Sequence, residues 1–400
     1  MAMTMQIGLG QSLQEDPVQA AKEAVRQARA SIRKEKVDLA VVFSSGELAQ
    51  PLLLKTINDL LGSTAILGCS AAALISNQGI FQHGLLIMLL AFPEGITFNT
   101  ACTKEISAKT SLNAGEELGE KLLHGFQAMR RNISVIFSDG EMKEELNFIY
   151  GLQEKLGQSF PLVGASASDK LHFLKTYIYF NQEVSSNSAC GLLLGGKLIF
   201  GLGVKHGWKP LGKPRYVTKS SGNTVSKIDH KPAVNIYSEY LARNLAELTK
   251  ELKHISVLYP IGIYLPGEEE YLLRNLIRIE KDGSLILQGD IPEGSQIRLM
   301  IGTKESCLAA TKQATEEVKK GLYDQKADFI FVFNSLSRHL LLGRRALEEL
   351  EIIKSACGPD VPLVGIYTYG EQAPLKAIDY RGKTYFHNQT ITILAIRGAN

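Results

Sequence analysis

The sequence predicts an α/β protein of two domains, with mixed β-sheets flanked by helices and built from repeated β-α-β-β units. One pattern occurs three times: an apolar strand ending in a small polar loop, an amphipathic stretch, a second strand ending in Gly, and a hairpin. The copies read VDLAVVFSSGE (Val37 to Glu47) with AILGCSAA (Ala65 to Ala72), ISVIFSDGE (Ile133 to Glu141) with PLVGASAS (Pro161 to Ser168), and ADFIFVFNSLSR (Ala327 to Arg338) with PLVGIYTYGE (Pro362 to Glu371). The second observation is the first strand of each copy, a continuous apolar run of the kind covered on both faces. The third is length, because 400 residues exceed one usual core. A strand, helix, strand order makes the two strands parallel neighbours, so their loops leave the same carboxyl edge, where open α/β sheets bind ligands.

In chain order, a strand at Ile7 to Leu9 precedes Asp16-Pro17, a helix N-cap with Pro at N1, and Val18, Ala21, Val25, Ala28 and Ile32 follow at helical spacing. Val37 to Phe43 is a buried strand, Pro51 to Leu61 a short helix, Ala65 to Gly68 the second strand, and Gly84 to Phe92 a long apolar one. The second copy gives a helix over Ala114 to Phe126, strand Ile133 to Phe137, helix Glu141 to Leu156, strand Leu162 to Gly164, and strands near Thr176 to Phe180 and Ala189 to Leu194. From Lys197 the chain becomes rich in Gly and Pro, which predicts hairpins and then a helix with Pro232 at N1. The domain boundary is placed near residue 205. Asp282-Gly283 marks the turn of a hairpin over Ile279 to Leu287, Ile297 to Ile301 is a strand, and Thr303 caps a helix whose stripe includes Cys307, Ala310, Ala314 and Val318.

Composition narrows the function. A net charge of +3 spread along the chain leaves no electrostatic footprint for nucleic acid. The start lacks the pattern of a secretory signal, and the longest apolar run, Leu85 to Phe92, is too short to span a bilayer, so a cytoplasmic protein without membrane insertion is expected. Five cysteines (Cys69, Cys102, Cys190, Cys307, Cys357) with no CxxC disfavour a disulfide framework and a structural zinc site. The sequence suggests no cofactor.

Three C-terminal strings, SLSRHLLLG (Ser335 to Gly343), PLVGIYTYGEQAP (Pro362 to Pro374) and FHNQT (Phe386 to Thr390), resemble the FIST family of sensory domains. VTKSSGNTVSKIDHKPAVNIYSEYL (Val217 to Leu241) resembles the opening of its C-terminal part, and Val37 to Phe92 with Pro161 to Leu194 resembles its N-terminal part. The resemblance implies a FIST N-like domain over 1–205 and a FIST C-like domain over 206–400, which leave no room for an output domain. It further implies sensing of a small ligand, with amino acids or related metabolites as the suggested class, no catalysis, and a separate signalling output protein as partner. The family commonly shows Cys two or three residues before Arg after the strand that ends here at Phe333; this chain has Ser335 and Ser337 before Arg338.

Candidate ligand-binding residues follow from the loops. Arg338 suits a bidentate bond to a carboxylate, or a structural pair with Glu371. Glu371 suits a ligand ammonium, or a solvated turn. Tyr367 and Tyr369 suit a polar pocket wall, or ordinary strand packing. His387 and Asn388 offer donors and acceptors at a strand start, although a lone His is more often structural than a metal ligand. Cys69, Ser70 and Ser166 occupy equivalent positions after Gly68 and Gly164 and suit an anion nest, or a tight turn that excludes bulk. Two other functions stay open: a hydrolase or acyltransferase-like enzyme using Cys69 or a Ser near 166, and a protein-interaction scaffold. No catalytic set or metal set can be assigned. A reactive, low-pKa Cys69 would favour the enzyme, and an exposed apolar patch without an enclosed pocket would favour the scaffold.

Overall fold

The computed structural model describes residues 5–34, 36–128, 130–142, 144–169, 175–375 and 383–399. It is an α/β structure of mixed sheets flanked by helices. Three six-stranded sheets share one strand plan. At the centre of each lies a parallel pair: Leu39–Ser44 with Ala65–Ser70, Arg131–Ser138 with Leu162–Ser166, and Phe329–Ser335 with Leu363–Thr368. Antiparallel strands extend each pair on one side (Leu85–Ala91, Ala189–Gly196 and Ile391–Gly398), and a short hairpin adds to the other.

Those hairpins are exchanged. Leu74–Ser76 with Gly79–Phe81 pairs onto Leu363–Thr368, Ile178–Phe180 with Glu183–Ser185 onto Ala65–Ser70, and Gly370–Pro374 with Thr384–His387 onto Leu162–Ser166. The three sheets are thereby linked in a closed ring, and pairing between residues 74–76 and 364–366 crosses position 205.

Period-2 geometry sends alternate side chains to opposite faces of each central strand. Leu39, Val41 and Phe43, Ile133, Val135 and Phe137, and Phe329, Phe331 and Phe333 all enter one core shared by the three sheets. The opposite faces meet helices: Ala40 and Val42 pack with Ala20, Ala24 and Ile57, while Ile330 and Val332 pack with Ala314, Val318 and Ile353. Both faces being dry explains the continuous apolar runs. On the axis of the ring, Phe137 meets Phe43 edge-on at 5.3 Å and Phe333 at 5.8 Å between centroids.

The Gly of each second strand has a common cause. A Cβ on Gly68, Gly164 or Gly365 would lie 1.8, 2.2 or 2.3 Å from the backbone oxygen of Val42, Ile136 or Val332, so only glycine fits.

Several end signals operate as the residues suggest. Asp16 caps Pro17–Arg29 by accepting from Gln19 N at 2.8 Å, Thr303 forms a capping box with Ser306 ahead of Lys304–Gly321, and Gly283 turns the hairpin with φ +83°. Other boundaries shift. Pro232 sits in the short strand Lys231–Pro232, and the helix starts later, at Asn235. The helix expected from Glu141 begins at Glu145, because Glu144 adopts a left-handed backbone with φ +54°. Residues 209–301 hold a fourth, antiparallel sheet with its own core, in which Tyr237, Leu248, Ile261, Leu285 and Leu299 are buried.

Candidate functional site

Ser335 and Thr368 end the third parallel pair and are register partners, so they mark its carboxyl edge. Against this edge the fourth sheet and the helix Leu252–Leu258 close a cavity of about 300 Å³. Leu252, Val257, Leu276, Ile277, Leu336 and Leu340 give it apolar walls. Its polar groups are Ser256, Asn275, Gln288, Ser335 and Ser337, with the exposed Lys253 among the lining residues. An apolar cleft with a few fixed polar groups, at the low end of the usual size range, is the ordinary form of a small-molecule site. A larger groove of about 680 Å³ runs past Gln11, Glu15, Asp16 and Glu23, but its walls are mainly surface carboxylates and amides. At the corresponding edge of the second sheet, a cleft of about 470 Å³ carries Asp139, Glu141, Glu144 and Lys109.

The polar wall is held by the turn between the last two strands. Gln389 has a left-handed backbone, φ +60°, and is fully buried. Its backbone N–H donates to Ser335 Oγ at 3.2 Å, and its Nε2 donates to Asn275 Oδ1 at 2.5 Å and to Ser256 O at 2.8 Å. Asn275 Nδ2 in turn donates to Gln288 Oε1 at 3.0 Å, and Gln288 Nε2 donates to Tyr369 O at 2.7 Å. This chain of carboxamides fixes the rotamers of the wall before any ligand arrives, which lowers the ordering cost of binding.

The structure disperses the residues singled out in the sequence. Tyr369 lines the cavity, with its hydroxyl bonded to Asp169. Asn388 stands one step behind, its Oδ1 accepting from Asn275 N at 3.2 Å. Arg338 is fully buried, paired with Glu349 rather than Glu371, and also donates to His206 O, Cys307 O and Thr311 Oγ1. Tyr367 packs its ring on His339 at 4.4 Å between centroids. Glu371 is fully buried, accepting from the Thr368 hydroxyl and Thr390 N, and burial pushes its carboxyl well above the usual range. Near the axis, Ser70 Oγ accepts from Tyr177 N at 3.0 Å, and Ser166 donates to Glu145 Oε1 at 2.6 Å. Cys69 is fully buried and burial raises its thiol pKa, the opposite of an activated nucleophile. Ser256, Asn275, Gln288 and Gln389 were not among the sequence candidates; Gln389 adjoins His387-Asn388, and the other three carry no local signal. Among the described residues no three His, Cys, Asp or Glu side chains converge as a metal site.

His387 accounts for a pH effect. Its Nε2 lies 2.9 Å from Ala373 O, and desolvation by burial lowers its pKa from 6.5 to about 4. The fold keeps the imidazole neutral while the unfolded chain takes up a proton below 6.5. Its contribution is therefore complete above that pH and is lost as pH falls toward about 4, at about 1.4 kcal/mol per pH unit. Glu371 acts oppositely, since a raised folded pKa loses stability as pH rises above 4.5. The His387 effect is thus read as a difference: wild type minus His387→Gln stability, by urea unfolding, is expected to shrink between pH 6.5 and 4. A pH-independent difference would place the proton elsewhere.

Two family matches cover most of the chain, the FIST N domain over residues 38–231 and the FIST C domain over 233–374. The chain belongs to the FIST family. FIST domains are sensory domains, and the cavity lies within this pair of them, between the FIST C residues 252–288 and 335–369. An uncharacterized protein of Methanocaldococcus jannaschii is similar, 26% identical over 72% of this FIST chain and 58% of its own length. Over that relative, therefore, the match spans somewhat more than half the molecule. An uncharacterized protein of Mycobacterium tuberculosis is 21% identical over 93% of this chain and 95% of its own. Among solved structures, the cyanuric acid hydrolase from A. caulinodans aligns over 99% of this chain and 100% of its own, with a TM-score of 0.40 and 8% identity. Among the described residues, no helix is long and apolar enough to cross a membrane.

Proposed function

We propose that this FIST protein is a sensor that binds a small metabolite, of the amino-acid and organic-acid size class, in the cavity beside Ser335 and Thr368, without turning it over. One observation carries the reading: an apolar cavity of about 300 Å³ with a pre-bonded carboxamide wall lies at the carboxyl edge of a parallel strand pair. The helices Leu252–Leu258 and Leu336–Leu342 meet across it, so a ligand that bridges them stabilises one arrangement of the fourth sheet against the third. A separate output protein would read that arrangement. The reading takes the protein to act in the cytoplasm, in keeping with its five free cysteines. The enzyme alternative has less support, because Cys69 and Ser166 are sealed in the interior.

Leu340, 42% exposed at the rim, provides the test. Leu340→Trp is expected to fill the cavity and leave the melting temperature of the free protein unchanged. In a thermal-shift screen against amino acids and organic acids, wild type should be stabilised by at least one compound and Leu340→Trp by none of those. Equal shifts in both proteins would remove the cavity from the account.

A further inference from the structure

We propose that the cavity selects an organic monocarboxylate with an apolar body over a zwitterionic amino acid or an amine; this rests on the cavity being the ligand site. The inference comes from which hydrogen-bonding groups of the wall are already spent. Asn275 uses Oδ1 on Gln389 and Nδ2 on Gln288 and, at 3.4 Å, on Ser337 Oγ. The Gln288 amide is spent on Tyr369 O and Asn275, the Thr368 hydroxyl on Glu371, and the Tyr369 hydroxyl on Asp169. The two carboxamide oxygens of the wall, Asn275 Oδ1 and Gln288 Oε1, thus each accept a protein donor, and the Thr368 and Tyr369 hydroxyl protons are committed to carboxylates.

Donors remain. Among the described residues, Ser335 Oγ and Ser337 Oγ only accept, from Gln389 N and Asn275 Nδ2, which leaves both hydroxyl protons for a ligand. The Ser256 hydroxyl makes no hydrogen bond and Lys253 no ion pair among the described residues. Among the described residues, no Asp or Glu lines the cavity. Glu371, behind Thr368, has both oxygens engaged, and the unpartnered Gln389 Oε1 belongs to a residue behind the wall. A carboxylate would meet three hydroxyl donors and one ammonium, each bond charge-assisted. An ammonium would find hydroxyl oxygens but no carboxylate to pair with, and a like-charged Lys253 among the lining residues, and burying a charge without a counter-charge is costly.

A matched set of probes isolates the charge: 3-phenylpropanoate, phenylalanine, which adds an ammonium to it, and 2-phenylethylamine, which keeps only the ammonium. Calorimetry on wild type, Lys253→Met and Leu340→Trp, each checked by melting curve, is expected to show 3-phenylpropanoate bound at least about ten-fold tighter than the other two. Lys253→Met should weaken it by roughly three- to ten-fold, as fits an exposed charge, and Leu340→Trp should abolish it. Equal or tighter binding of phenylalanine or the amine, abolished by Leu340→Trp, would overturn the ligand class and keep the cavity as the site. Absence of binding by all three up to about 10 mM, or binding that Leu340→Trp leaves intact, would overturn the ligand class and count against the cavity itself.

Discussion

Arg338→Ala is expected to lose about 3–5 kcal/mol of stability, enough to show as a large drop in the guanidinium chloride midpoint. The guanidinium is fully buried against Glu349, and its removal leaves that carboxylate in the interior with Thr311 and Asn334 as its remaining partners among the described residues. The carbonyl of His206 loses its Arg338 donor, and that of Cys307, which also accepts from Thr311 Oγ1 at 3.1 Å, loses one of its donors. Replacing both members, Arg338→Met with Glu349→Leu, should recover part of the loss, because a buried pair exchanged for apolar groups is often neutral. A stable Arg338→Ala protein that no longer binds ligand would instead return Arg338 to the ligand-binding role its loop position suggests.

Phe137→Ala is the second large effect. The ring sits where the three sheets converge, in edge contact with both Phe43 and Phe333. Truncation opens a cavity that no single sheet can close, since each neighbour is fixed in a different sheet, and the cost is expected at about 3–5 kcal/mol. Tyr323→Ala, at a position 76% exposed, should stay within about 0.5 kcal/mol of wild type. Similar losses in both variants would mean that the axis is not a common core.

The interior was legible where one face or one cap decides the outcome. Leu39 to Phe43 reads as a strand covered on both sides because it is one, and Asp16 and Thr303 start helices because their side chains accept from backbone N–H groups three residues on. The exchange of hairpins was not legible. Each exchanged strand is short, and Leu74–Ser76 finds its partner almost 300 residues away, so no local periodicity records the pairing. The Arg338 partner does leave a trace in the sequence: Glu349 falls within the buried stripe of Ala346, Leu350 and Ile353, where a carboxylate needs a cation. The cavity wall draws Ser256, Asn275 and Gln288 from the fourth sheet and its helix, in stretches whose composition is ordinary. Ser335, Leu336, Ser337, Leu340, Thr368 and Tyr369, by contrast, fall within the C-terminal motifs at this edge.

Hydrogen–deuterium exchange bears most directly on the central claim that this cavity is where the protein senses its ligand. It would be run with and without whichever metabolite raises the melting temperature of the wild type. Protection is expected in Leu252–Leu258, around Asn275 to Ile277, and in Leu336–Leu342, the segments that enclose the cavity. Protection centred on the strands carrying Cys69 and Ser166, with the cavity segments unchanged, would contradict it.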